Sequence, residues 1–152
     1  MDMKDHTNQL KDLHELITDS RKGYEEAAKQ VDSPPLRQFL QRLSAQRTSM
    51  QAELAAEVHR FNPDEELQDG TAKGTLHRAW MDIREALGSS DDVNMLDECE
   101  RGEQYLLQRF DTVLEDAELV PSTKQLLAIQ RQQVGENLVQ VKELRSVAKQ
   151  VE

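Results

Sequence analysis

Residues 10–31 read LKDLHELITDSRKGYEEAAKQV, and the fold turns on how their apolar side chains are spaced. Leu10, Ile17, Tyr24 and Val31 recur every seven residues, interleaved with Leu13, Ser20 and Ala27. A helix turns once in about 3.6 residues, so alternating steps of four and three hold these side chains on one stripe. Such a stripe is the inward seam of a bundle helix, predicted over about residues 7–31.

The same pattern returns along the chain. Ser33-Pro34 supplies an N-cap followed by a first-turn proline, opening a helix over residues 34–61. Its stripe carries Leu36, Leu40, Leu43, Arg47, Met50, Leu54, Glu57 and Phe61, so two charged residues fall on a core-facing seam. Asn62-Pro63 ends it, and the stretch to Lys73, with its Asp69-Gly70 turn signal, reads as loop. A shorter helix is predicted over about 72–87, carrying Leu76, Ala79, Trp80, Ile83 and Leu87. Gly88-Ser89-Ser90 breaks it, and Ser90 or Asp91 caps a third long helix over about 92–117. That helix turns Leu96, Cys99, Glu103, Leu106, Phe110 and Val113 inward. After a turn at Pro121-Ser122, a last helix over about 122–147 uses Leu127, Val134, Leu138, Val141, Leu144 and Ala148.

The expected fold class is therefore all-α, a single helical-bundle domain over residues 1–152. Each long helix has about 25 residues and so extends about 37 Å. The first pair and the last pair are joined tightly, which makes each an antiparallel hairpin. The middle connection is long enough to travel the length of the bundle and let the second and third long helices run parallel. One long crossover between two hairpins is the ferritin-like pattern, with the short helix in the crossover. An up-down bundle with the extra helix tucked on one end is the alternative.

Composition agrees with that reading and excludes several functions. The 152 residues are 37% hydrophobic and 32% charged, with only 6 Gly and 4 Pro. A net charge of −10 repels phosphate backbones and anionic lipid, so neither nucleic acid nor a membrane surface is an expected partner. Basic residues are mixed with acids and form no aromatic-interleaved stripe. Cys99 is the only cysteine, so no intramolecular disulfide forms. The opening MDMKDHTNQLKDLHEL has no continuous apolar core of a secretory signal, and no segment has the apolar length of a membrane span. A cytoplasmic location is the expectation.

Four segments together resemble a known family. They are GYEEAAKQV (23–31), FLQRLSAQRTSMQAELAAEV (39–58), LHRAWMDIREAL (76–87) and LDECERGEQYL (96–106). They are similar to a bacterial family of four-helix-bundle proteins of unknown function, placed in the ferritin-like superfamily. The HRAW and ECERGE segments are the most specific. The resemblance implies the crossover bundle and, from the look of some relatives, a stress-related setting. It implies no particular chemistry.

A bundle of this class can hold two metal ions when two helices each give a Glu and the other two each give Glu-x-x-His. The three-residue spacing places both ligands on one inward face, about a turn apart. The candidate carboxylates are Glu25, Glu57, Glu100 and Glu103. The four histidines, His6, His14, His59 and His77, complete no Glu-x-x-His pair on a bundle helix. The last helix has no histidine, and offers Gln130, Gln133, Val134, Asn137 and Leu138 around its middle. No metal, cofactor or catalytic residue is therefore assigned. The inward acids read better as a polar layer in which Arg47 pairs with Glu103 or Glu57, since an unpaired buried guanidinium is costly.

His77 and Trp80 share a face of the short helix, where packing of the Trp is favoured over a small-ligand pocket. Cys99 stands between Glu98 and Glu100, which suppress thiol reactivity. No phosphate loop, nucleophile elbow or paired-cysteine motif is present. The expected function is that of a non-catalytic structural or interaction bundle, self-associating as a symmetric dimer. The alternatives are a degenerate carboxylate metal-binding protein or oxidase, and a carrier of apolar ligands near Trp80.

Overall fold

The computed structural model describes residues 3–67 and 92–151. Those residues form four α-helices: α1 (Met3–Gln30), α2 (Pro34–Phe61), α3 (Asp92–Leu114) and α4 (Pro121–Val151). The short helix expected over 72–87, with His77 and Trp80, lies outside the described residues.

The heptad stripes become the core. Leu10, Leu13, Ile17, Tyr24 and Ala27 of α1 are buried against Leu36, Leu40, Leu43, Met50 and Leu54 of α2. Leu96, Cys99, Leu106, Phe110 and Val113 of α3 complete the core with Leu127, Val134 and Val141 of α4. α1 begins at Met3, ahead of the expected Thr7, because the seam continues backward: His6 is one turn before Leu10 and is itself buried. α3 ends at Leu114, before the expected 117. Glu118 N–H donates to Asp116 Oδ1 at 2.9 Å, and the turn folds Leu119 back into the core. In α4 Leu127, Val134 and Val141 are buried as expected, and the difference falls at one position, with Asn137 buried and Leu138 only half-buried.

Side-chain pairs fix the helix directions. Along α1 and α3, Tyr24 meets Glu103 while Gln9 reaches Asp116, so these helices are antiparallel. Along α2 and α4, Arg42 bonds Gln140, Gln46 bonds Asn137 and Arg60 bonds Ser122, again antiparallel. Arg145–Asp97 and Arg131–Asp111 run α3 against α4 the same way. Helices α1 and α2 pack along their whole length, as do α3 and α4, while α1 meets α3 and α2 meets α4. α2 and α3 consequently run parallel across a diagonal of the bundle. Phe61 lies at the end shared by the start of α1 and the start of α4, and Asp92 lies at the opposite end.

The α1–α2 corner is held unlike a standard capped turn. Ser33 takes the non-helical cap conformation (φ −70°, ψ 116°), but its side chain makes no cap hydrogen bond. Instead Arg37, one turn into α2, donates Nη2 to Val31 O at 2.8 Å and so satisfies a carbonyl past the end of α1.

Candidate functional site

Three helices each bring one polar side chain to the middle of the bundle. Tyr24, Arg47 and Glu103 occupy seam positions of α1, α2 and α3, where most neighbouring seam residues are apolar. The relative exposure of Arg47 and Glu103 is 0%. Arg47 Nη2 donates to Glu103 Oε2 at 2.5 Å, and Tyr24 Oη donates to Glu103 Oε1 at 2.5 Å. Both oxygens of the carboxylate are therefore engaged. The guanidinium also lies over the Tyr24 ring, its Cζ 5.6 Å from the centroid, where the ring face attracts a cation.

This arrangement explains how two charges persist in a buried position. Either ion alone would cost several kcal/mol to desolvate. Together they are neutral, and the phenol occupies the carboxylate's second oxygen. Burial raises the Tyr24 phenol well above its usual range, and the adjacent Glu103 raises it further, so the ring hydroxyl stays a donor. Cys99, one turn before Glu103, is raised chiefly by burial and then by Glu103 and Glu98. Its thiol is protonated and enclosed, which is the reverse of an activated nucleophile.

The four candidate carboxylates are not brought together. Glu103 is central, and it is Glu103 rather than Glu57 that pairs with Arg47. Glu57 lies toward the Phe61 end and pairs with Arg60 at 2.7 Å. Glu25 is half-exposed on the outer face of α1 and pairs with Arg21 at 3.1 Å. Glu100 stands 4.0 Å from Lys142 of α4. Among the described residues, no group of three or more His, Cys, Asp or Glu side chains is arranged to hold a metal ion.

On α4 the amides that stand in the middle of the helix tie it to α2. Gln130 Nε2 donates to Met50 O and to Glu53 Oε1, each at 3.3 Å, and Asn137 Nδ2 donates to Gln46 Oε1 at 2.5 Å. His6 is buried edge-on against Phe61, ring centroids 4.5 Å apart, and burial lowers its pKa. His14 is buried, and its carbonyl accepts from Thr18 Oγ1 at 2.8 Å. His59 is exposed, with Nε2 3.0 Å from Glu65 O. The sequence reading missed both the Tyr24–Glu103 bond and the burial of His6; the signal that could have found His6 is its place one turn before Leu10 on the α1 stripe.

The molecule is thus an all-α protein whose four described helices enclose a charged, hydrogen-bonded layer. Residues 5–116 match the family described as a domain of unknown function, DUF2383, and the chain belongs to that family. No curated protein matches the chain. No described helix is long and apolar enough to cross a membrane.

Proposed function

We propose that this protein is a non-catalytic bundle of ferritin-like topology, acting in the cytoplasm as a structural or interaction module and self-associating as a symmetric dimer. One observation carries the reading. At the middle of the bundle, where a ferritin-like metal protein gathers its carboxylates, the interior is filled by the Arg47 guanidinium bonded to Glu103. A fixed positive charge there opposes a second cation, and the carboxylate has both oxygens committed. The parallel run of α2 and α3, with Phe61 and Asp92 at opposite ends, supports the ferritin-like connection over the simple up-down alternative. Support for a stress-related setting comes from the sequence resemblance alone.

The test is metal analysis of protein purified without chelator. The expected result is no stoichiometric iron or manganese in the native chain, and no change in Glu57→Ala or Glu103→Ala. About two bound metal ions, lost in those variants, would overturn the reading in favour of a carboxylate metal protein.

A further inference from the structure

We infer that the charged layer at the middle of the bundle binds internal water, held by Arg47 Nε and Nη1 and shared with Ser20 Oγ and, about a turn along the bundle, with Gln130 Oε1. The contacts within the layer leave most of its donors unused. A guanidinium carries five N–H groups and keeps its charge. Arg47 gives Nη2 to Glu103, and the Tyr24 ring covers one face, but Nε and Nη1 are buried and make no hydrogen bond within the protein. At 0% exposure the side chain does not reach bulk solvent either. Charged donors left unmet in the interior are costly, so both edges of the guanidinium call for an acceptor.

Two unmet acceptors stand in the same part of the core. Ser20 precedes Tyr24 by one turn on the inward stripe of α1, is fully buried, and its hydroxyl has no partner. A serine or threonine within a helix commonly returns its hydroxyl to the carbonyl four residues back, as Thr18 does to His14 and Thr48 to Ser44. Ser20 does not. On α4, Gln130 gives its amide nitrogen to Met50 O and Glu53 Oε1, each at 3.3 Å, while its own Oε1 is buried and unmet. Met50 follows Arg47 by one turn of the α2 stripe, so α1, α2 and α4 each bring unmet polar atoms to the same stretch of the interior. The layer also has room on α3. Gly102, next to Glu103, is buried, yet a methyl group placed on it would meet nothing within 4 Å.

The charges choose the occupant. Glu103 already neutralises Arg47, so chloride or a carboxylate would leave the interior negative, and neither has a hydrogen to give Gln130 Oε1. A cation would meet the guanidinium. Water is neutral, accepts from Arg47, donates to the amide oxygen and does either for Ser20. It settles where polar partners of both kinds converge without touching one another.

The native full chain supplies the first test. A high-resolution crystal structure is expected to show water within hydrogen-bond distance of Arg47 Nε or Nη1, bonded in turn to Ser20 Oγ or chained through a second water to Gln130 Oε1. In solution the Arg47 Nε–H proton gives a nuclear Overhauser cross-peak to water, with the sign of a long-lived contact rather than of exchange. Ser20→Val removes the hydroxyl and fills its space. With an unchanged helical circular dichroism spectrum, it is expected to lose at least one long-lived internal water, counted by oxygen-17 relaxation dispersion against the native chain. Arg47 Nε and Nη1 bonded directly to protein oxygens, with no water beside them, overturn the inference, as does an Arg47 Nε–H signal without a contact to water. A signal that moves on titration with sodium chloride or sodium formate assigns the site to a small anion and overturns it too. An unchanged water count in folded Ser20→Val counts equally against the shared site.

Discussion

Glu103 is the residue on which the interior depends most, because it satisfies two helices at once. Removing it strands the Arg47 guanidinium in an apolar interior, so Glu103→Ala is expected to lower stability by about 3–5 kcal/mol. Combining it with Arg47→Met removes the orphaned charge and should recover most of that loss. Urea unfolding of the two variants decides the matter. Arg47→Met with unchanged fold, oligomeric state and melting would instead show that the layer does not organise the bundle. His6 makes a second prediction at this scale. Burial is the main cause of its lowered pKa, with Glu57 and Asp116 pulling the other way and Arg60 reinforcing the shift. The unfolded chain therefore takes up a proton first as pH falls below the ordinary value of 6.5, and native stability drops from there downward. His6→Gln should flatten the dependence of the urea midpoint on pH between about 7 and about 5. A slope unchanged by that substitution would move the effect elsewhere.

At the scale of elements, the helix boundaries follow from local chemistry and the caps do not. Ser33 before Pro34-Pro35 has the composition of an N-cap, yet its hydroxyl makes no cap bond, and Arg37 reaches back to Val31 O instead. Ser33→Ala should therefore cost only a few tenths of a kcal/mol, below the usual ~1 kcal/mol for a capping serine. Arg37→Ala should cost more, about 1 kcal/mol, for a charged donor removed from a backbone carbonyl. Thermal denaturation ranks the two, and the opposite order would restore Ser33 as the cap. The seams themselves were legible. On α3 every residue placed inward by spacing, from Leu96 to Val113, is buried, including Glu103. On α4 the spacing is ambiguous, because Asn137 and Leu138 are adjacent. Hydrophobicity favours the leucine, whereas the amide turns inward to bond Gln46 of α2.

At the scale of the whole molecule, the two hairpins are joined by few but specific polar bonds. The Tyr24–Glu103–Arg47 layer links α1, α2 and α3, and Gln130 and Asn137 link α4 to α2. Because α2 and α3 run parallel, the end of α2 lies beside the start of α4, where Arg60 donates to Ser122 Oγ at 2.5 Å. A bundle of simple up-down order would put those residues at opposite ends. Arg60→Cys combined with Ser122→Cys should accordingly be joined by a short bifunctional maleimide, with buried Cys99 a bystander. Failure of the pair to link, with helicity intact, would contradict the helix order.

The sequence by itself determined the helices and their buried stripes, because a period of three and four is a local property that each segment carries alone. It also determined that charges would enter the core, since Arg47, Glu57 and Glu103 stand at heptad positions whatever the neighbours are. Only the tertiary structure decided which charges meet. Glu57 shares α2 with Arg47 and stands nearly three turns, about 15 Å, along it beside Arg60, whereas the alignment of α2 with α3 brings Glu103 to Arg47. Partner choice across helices depends on their relative height and direction, which no one-dimensional pattern contains.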